Sequence, residues 1–194
     1  MNNRVLGLLA LIGAPTLGIC SYLESVYPQL KNTWFYGVWG IVYMSAWICS
    51  LLVMQRLQAT GSSRFGKAIL KIAIGSLILA NFSNVYAGLF PGDRPLLFII
   101  LDAFWPISNL LMLVIGITVI VKKGLSGWRR YVPLFVGLWL PTMLVLMITL
   151  GRVGTVGTIS SFYSAIAWSL LAISVLIESN LKQATTGRLI YQAY

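Results

Sequence analysis

Six stretches of this chain are apolar over about twenty residues each, which is the length of helix that crosses the hydrocarbon core of a bilayer. A helix satisfies its own backbone hydrogen bonds in lipid, where no water is present to do so. The stretches run over 5–25, 34–55, 68–90, 96–121, 131–151 and 158–177. We therefore predict an all-α, polytopic integral membrane protein with a single six-helix transmembrane domain, ending in a short cytoplasmic tail over 178–194.

The overall composition agrees with this class. Hydrophobic residues make up 58% of the chain, charged residues make up 9%, and the mean hydropathy is +0.86. Ordinary soluble domains contain about 25% charged residues. The connections between the apolar stretches are too short to form a separate soluble domain, so we predict one helical bundle.

Basic residues are distributed unevenly between the two sides of the predicted bundle. If both termini lie on one side, that side carries eleven of the 14 basic residues. Lysine and arginine are retained on the cytoplasmic side during insertion, so both termini are predicted to be cytoplasmic. The larger set is Arg4, Arg56, Arg64, Lys67, Lys71, Lys122, Lys123, Arg129, Arg130, Lys182 and Arg188, and the smaller set is Lys31, Arg94 and Arg152.

This asymmetry accounts for the sequence pI of about 10.0 without a nucleic-acid partner. A surface that binds RNA or DNA needs an ordered domain to display it, and we predict none. The predicted partners are membrane lipids, with anionic headgroups held at the cytoplasmic face. The small size and brief loops favour the inner membrane of a bacterial cell, crossed several times, as the location.

The residue inventory argues against most enzymatic chemistry. The chain contains no histidine and only four acidic residues. Histidine supplies most zinc sites and the general base of many nucleophilic enzymes. We therefore predict no metal, no cofactor and no catalytic residues, although an enzyme is not excluded.

One acidic residue, Asp102, falls inside the fourth apolar stretch. It lies about six residues, or roughly 9 Å, below the predicted outer end of the helix. An aspartate at the centre of a membrane helix costs about 2.5 to 3.5 kcal/mol, so Asp102 is expected to face protein or water. Pro106 cannot donate a backbone hydrogen bond to the Asp102 carbonyl, which predicts a loosened helix at this point. Pro15 and Pro141 predict similar weak points in the first and fifth stretches.

Other polar residues are predicted to gather near Asp102 in the outer half of the bundle. Trp105 and Asn109 share its helix face, and Asn81 and Asn84 form a stripe on the third stretch. The candidate ligand-binding residues are Asp102, Trp105, Asn109, Asn81, Asn84, Tyr86 and Glu24.

Two interpretations of Asp102 remain open. In the structural one, Asp102 pairs with Arg152 or Arg94, or bonds to Asn84 and Tyr86, and holds the third and fourth helices together. In the functional one, it faces a cavity open to the outside, where it binds a cationic or hydroxylated ligand or exchanges a proton.

Three functions follow from these interpretations. The first is binding or transport of a small amphipathic or lipid-like molecule in an outward-facing cavity around Asp102. The second is a non-catalytic membrane subunit or scaffold that docks a partner, and the third is an integral membrane enzyme acting on lipid. A water-accessible cavity reaching Asp102 favours the first, a dry and hydrogen-bonded Asp102 favours the second, and a Glu24 carboxylate within about 5 Å of Asp102 favours the third.

Two further patterns bear on packing. Small residues recur at helical spacing on the first and sixth stretches, which predicts close helix contacts either within the chain or with a second copy or another membrane protein. They are Gly7, Ala14, Gly18, Ser21 and Ser25 on the first and Ser160, Ser164, Ala167 and Ser174 on the sixth. A loose pattern of tryptophan, serine and paired leucines begins at Trp47, Trp105 and Trp168, and we interpret it as a chance occurrence.

Overall fold

A computed structural model describes the backbone of residues 2–151 and 154–192, and the side chains of residues 2–151 and 154–184. Every regular element in these ranges is a helix. The α-helices are α1 (Asn3–Gly13), α2 (Thr16–Val26), α3 (Trp34–Arg56), α4 (Arg64–Leu89), α5 (Leu96–Asp102), α6 (Phe104–Lys122), α7 (Val132–Gly137), α8 (Trp139–Leu150) and α9 (Gly154–Gln192), and short 3-10 helices cover Pro28–Leu30 and Gly127–Tyr131.

Five of the resulting segments are long and apolar enough to cross a membrane. They are Asn3–Val26, Trp34–Arg56, Arg64–Leu89, Leu96–Lys122 and Gly154–Ala184. A sixth candidate, Gly127–Gly137 with Trp139–Leu150, is bent by 45° at its break. The all-helical class and the apolar, membrane-length segments agree with the sequence prediction.

Three of the long segments are interrupted, each close to a proline. The first segment breaks between Gly13 and Thr16, at Pro15. The fourth breaks three residues before Pro106, and the fifth breaks three residues before Pro141. A proline withholds one backbone donor and crowds the preceding turn, so these breaks lie where the sequence predicted loosened helices.

The N-terminus and the described end of α9 lie at the same end of the molecule. The Gln183 side-chain amide donates to the Asn2 side chain at 3.3 Å. The Lys182 ammonium donates to the Leu57 carbonyl at 2.7 Å, which brings the α3–α4 connection to the same place. This end, comprising residues 2–4, 56–71, 122–131 and 178–184, holds most of the described lysines and arginines and is called the basic end.

The last helix extends further than the sequence predicted. The sequence placed the end of a span at 177 and a separate tail over 178–194, whereas α9 continues as helix to Gln192. No proline follows Ile177, and the first glycine after it is Gly187, so nothing in the sequence breaks the helix there. The side chain of Arg188 and all of residues 193–194 lie outside the described residues.

The small residues of the first segment contact α9 of the same chain. A Cβ atom added to Gly7 would lie 2.9 Å from the Leu176 side chain. One added to Gly18 would collide with the Ser161 carbonyl oxygen and lie 2.6 Å from Ala165. At these two positions the small side chains therefore serve close packing within the chain.

Candidate functional site

The break in the fourth segment determines where Asp102 lies. Asp102 is the last residue of α5 and is half-buried. Helix α6 begins two residues later at Phe104, because Pro106 cannot continue the hydrogen-bond ladder to Asp102. The Phe104 carbonyl accepts hydrogen bonds from the Ser76 hydroxyl at 3.0 Å and from the Ser108 hydroxyl at 2.8 Å. The break is therefore fastened to α4, which holds the Asp102 side chain in a defined position.

A cavity of about 80 Å³ lies beside Asp102. Four aromatic side chains, one amide and one carboxyl group contribute most of its polar and aromatic lining. They are Tyr36, Trp39, Tyr43, Trp105, Asn84 and Asp102. Aromatic ring faces and a carboxylate are the two groups that attract an ammonium ion in proteins, so this lining suits a small organic cation.

Two polar atoms in the cavity wall have unused hydrogen-bonding capacity. The Tyr43 hydroxyl and the Trp105 indole N–H are both buried, and neither completes a hydrogen bond among the described residues. The two groups interact with each other, with the Trp105 N–H as donor toward the Tyr43 oxygen, so the Tyr43 O–H is the donor left without a partner among the described residues. Buried polar atoms are nearly always bonded, so this hydroxyl favours a polar guest in the cavity.

The Asp102 carboxylate has little support from protein groups. It accepts one long hydrogen bond, 3.4 Å, from the Ser83 hydroxyl, which also donates to the Ala80 carbonyl at 2.7 Å. Among the residues that the structure describes, Asp102 forms no ion pair within 4 Å. Its oxygens therefore remain available to a ligand.

Neither arginine that the structural interpretation paired with Asp102 forms that pair among the described residues. The Arg94 guanidinium lies 5.4 Å from the Tyr36 ring centre and 5.2 Å from that of Phe98. It also donates to the Asn32 side chain at 3.3 Å. Arg94 thus packs on Tyr36 and acts on the Asp102 carboxylate electrostatically, although the two groups form no ion pair within 4 Å. Arg152 lies outside the described residues.

Glu24 is held beside the cavity and does not line it. Its Oε1 accepts a hydrogen bond of 2.8 Å from the indole N–H of Trp39, whose ring lines the cavity. Asp102, Arg94 and Glu24 all act electrostatically on Tyr36, so two carboxylates and one guanidinium surround this aromatic side chain. A cation in the cavity would be attracted by the two carboxylates and repelled by Arg94, which leaves an excess of one negative charge.

The three predicted asparagines have different roles. Asn84 lines the cavity and donates to Asn81 at 3.3 Å, and Asn81 donates in turn to Ser45 at 3.3 Å. This chain of hydrogen bonds links α4 to α3. The amide of Asn109 donates to the Trp105 carbonyl at 3.1 Å, while its carbonyl oxygen is buried and unbonded among the described residues. Of the three, the structure brings Asn84 to the cavity.

The structure does not bring Tyr86 to Asp102. Its hydroxyl donates to Asp93 at 2.5 Å, and its ring packs against Phe90 and Phe98 with centroids 4.9 Å and 6.2 Å away. The sequence predicted Tyr86 as a possible partner of Asp102 from its position near the outer end of the third stretch, but position along a helix does not determine which way a side chain points around it. Tyr86 instead stabilises the connection between α4 and α5.

Sequence reasoning did not predict that tryptophans from four helices would meet. The rings of Trp47 and Trp168 are 5.1 Å apart, those of Trp168 and Trp139 are 5.9 Å apart, and those of Trp139 and Trp105 are 5.3 Å apart. Tyr43 packs on this row, 5.6 Å from Trp168. The recurring tryptophan, serine and leucine pattern, which we interpreted as chance, begins at three of these four tryptophans and could have indicated the cluster.

Comparisons with known protein families, with curated proteins and with solved structures reveal no match to this chain.

Proposed function

We propose that this protein binds, and in a further step transports, a small amphipathic molecule whose cationic headgroup enters the cavity beside Asp102. The observation that carries the proposal is a half-buried carboxylate without an ion pair among the described residues, facing a cavity walled by aromatic rings. The carboxylate supplies the counter-charge and the rings supply cation–π attraction.

The volume of the cavity limits what can enter it. Pockets that enclose a whole drug-sized ligand measure about 300 to 1,000 Å³. The cavity at Asp102 measures about 80 Å³, which is room for a compact headgroup. The apolar part of the molecule would therefore remain in the surrounding lipid, or the helices would separate along the broken α5–α6 segment during passage.

In this proposal the chain crosses the inner membrane six times, with both termini in the cytoplasm. The bent α7–α8 pair serves as the fifth span. The basic end then faces the cytoplasm in agreement with the retention of lysine and arginine on that side, and the cavity opens toward the outer leaflet.

The other two functions have less support. A scaffold role calls for a dry, fully bonded Asp102, whereas its one protein hydrogen bond is 3.4 Å long. A lipid-modifying enzyme calls for Glu24 working beside Asp102, whereas Glu24 is bound by the Trp39 indole.

The test is a thermal-shift measurement on the purified protein in maltoside detergent, with decyltrimethylammonium as the probe. Decanol, which has the same chain length and no charge, is the reference compound. We expect the ammonium compound to stabilise the wild type more than decanol does. The Asp102→Asn variant should bind it about tenfold more weakly or worse, because a charge-assisted contact is lost.

Asp93→Asn is the matched control, since Asp93 is an exposed acid in the turn before α5 and does not line the cavity. It should respond like the wild type. Equal responses from the wild type and Asp102→Asn would remove the proposal, because binding would then be independent of the cavity carboxylate.

A further inference from the structure

The connection between α3 and α4 at the basic end is held firmly by neighbouring groups. The Thr60 hydroxyl is buried and donates to the Gly66 carbonyl at 2.6 Å, and Ser63 caps the first turn of α4 by accepting from the Gly66 amide at 3.1 Å. Gly124 packs directly on the Ala59 carbonyl, where a side chain would collide. The connection therefore forms a fixed wall.

A second cavity, of about 310 Å³, lies against this wall and is distinct from the cavity at Asp102. Its lining includes three cationic side chains, Arg56, Lys67 and Lys71, and the amides of Gln55 and Gln58. None of its lining residues is acidic. Its volume lies at the lower limit of ordinary ligand pockets, about 300 Å³.

The acid at this end of the bundle does not neutralise the two lysines. Glu178 accepts hydrogen bonds from Ser126 and forms its ion pair with Arg129 at 3.0 Å. Among the described residues, neither Lys67 nor Lys71 has a carboxylate within 4 Å. The cavity also adjoins the start of α4, where the helix dipole adds positive potential. The site is therefore strongly electropositive.

Exposed apolar side chains lie on the same two turns of α4 as the cationic lining. Phe65 and Ile72 are 58% and 57% exposed, so α4 presents apolar surface at the same level as Lys67 and Lys71 but on a different face of the helix. Cationic and apolar surfaces at one level match the headgroup and the acyl chains of an anionic lipid. Basic pockets between membrane helices commonly bind such headgroups.

We propose that this cavity is a binding site for a phosphate-bearing anion, and that its ligand is the headgroup of an anionic phospholipid. Lys67 and Lys71 contact the phosphate, and the glutamine amides donate to oxygen atoms of the headgroup. Arg56, whose guanidinium donates to the Asn3 side chain at 3.2 Å, adds positive charge to the lining. The acyl chains run along the exposed apolar face of α4.

Native mass spectrometry of the delipidated protein tests this site. The probes are dioleoyl phosphatidylglycerol, dioleoyl phosphatidylcholine as the zwitterionic reference, and inorganic phosphate as the soluble anion. We expect the wild type to bind phosphatidylglycerol in preference to phosphatidylcholine. The double variant Lys67→Gln/Lys71→Gln should bind phosphatidylglycerol about tenfold more weakly or worse, because each basic residue near a membrane surface contributes on the order of a few-fold in affinity.

The control is Arg64→Gln/Lys123→Gln, which removes the same charge from the same end without altering the cavity lining. It should retain wild-type binding, and circular dichroism should show unchanged helix content in both double variants. Loss of inorganic phosphate binding in the cavity variant, with phosphatidylglycerol binding unaffected, would overturn the lipid assignment in favour of a soluble phosphate compound. Equal weakening of lipid binding in both double variants would overturn the site altogether, because binding would then follow net charge.

Discussion

At the scale of single residues, two acids of this chain have opposite surroundings. Glu178 is 6% exposed and accepts hydrogen bonds from the Ser126 amide at 3.3 Å, the Ser126 hydroxyl at 2.7 Å and Arg129 at 3.0 Å. Asp102 accepts one long bond from Ser83. Glu178 therefore has a structural role, whereas the Asp102 carboxylate has hydrogen-bond acceptor positions that a ligand could use.

Replacing Glu178 should destabilise the protein. In Glu178→Gln the Arg129 guanidinium loses its counter-charge while remaining largely buried, and breaking such a pair costs about 3 to 5 kcal/mol. Chemical unfolding followed by tryptophan fluorescence measures the loss. Asp93→Asn, at an exposed turn where the asparagine oxygen can still accept from the Tyr86 hydroxyl, should change the free energy of unfolding by less than about 1 kcal/mol. Similar losses in the two variants would show that Glu178 is not a structural residue.

Replacing Asp102 should have the opposite effect on stability when no ligand is added. A carboxylate that is partly withdrawn from water without an ion pair costs free energy, and Asp102→Asn removes the charge while keeping the shape. We expect the free energy of unfolding to rise by roughly 1 kcal/mol. A decrease comparable to that of Glu178→Gln would instead mean that Asp102 pins the third and fourth segments together.

At the scale of helices, close crossings and proline breaks position the cavity. Helix α3 approaches α4 at Gly37, where an added Cβ would collide with the Gly88 amide nitrogen and lie 2.5 Å from the Asn84 carbonyl oxygen. Gly40 leaves room for the Asn84 side chain in the same way. These two glycines allow Asn84 of α4 to reach a cavity to which α3 contributes most of the lining residues.

Two glycine-to-alanine substitutions should change stability in opposite directions. Gly37→Ala forces α3 and α4 apart and should cost about 1 to 3 kcal/mol. Gly75→Ala, in the interior of α4 with no neighbouring atom within 4 Å, should stabilise the helix by about 0.5 to 1 kcal/mol. Melting temperatures of the two variants check this pair, and a stable Gly37→Ala protein would argue against the close crossing.

The break before Pro106 should matter more for binding than for stability. Alanine at this position restores a backbone donor for the Asp102 carbonyl, so α5 and α6 can join into one helix and turn the carboxylate away from the cavity. Pro106→Ala should therefore lose the thermal shift caused by decyltrimethylammonium without a lower melting temperature. Pro141→Ala, in the broken fifth segment, is the comparison variant. An unchanged response in Pro106→Ala would show that the break does not aim Asp102.

At the scale of the whole molecule, the arrangement separates a basic end from an end with few basic residues. Contacts such as Lys182 with Leu57 and Gln183 with Asn2 bring distant parts of the chain together at the basic end. At the other end, Arg94 lies in the α4–α5 connection and donates a hydrogen bond to Asn32 in the α2–α3 connection. The proposed cation-binding cavity and the proposed anion-binding cavity thus lie toward opposite ends of the same bundle.

Cysteine labelling in intact cells tests the proposed orientation. In a background with Cys20→Ala and Cys49→Ala, a membrane-impermeant maleimide should label Asn32→Cys without permeabilisation and Ser62→Cys after it. Leu150→Cys should label like Asn32→Cys if the bent α7–α8 pair crosses the membrane as the fifth span. Labelling of Leu150→Cys from the cytoplasmic side would make that pair a re-entrant loop.

The sequence by itself determined the helical class, the apolar segments and the places where prolines interrupt them. It also identified Asp102 as an acidic residue inside an apolar segment. These features depend on local composition and on the geometry of proline, so the predicted stretch 34–55 agrees with α3 to within one residue. The continuation of α9 past 177 was also readable from the sequence, since no proline or glycine interrupts the helix between Ile177 and Gly187.

Only the tertiary structure decided which polar groups meet. Glu24 bonds to Trp39, Tyr86 bonds to Asp93, and Trp105 joins a row of rings from other helices. The sequence placed Asn109 on the face of Asp102 by assuming one continuous helix, whereas the helix is interrupted at Ala103 and Asn109 does not line the cavity beside Asp102. Helical spacing predicts how deep a residue lies in the membrane and which face of its own helix it occupies. How neighbouring helices are rotated and crossed depends on close packing over the whole bundle.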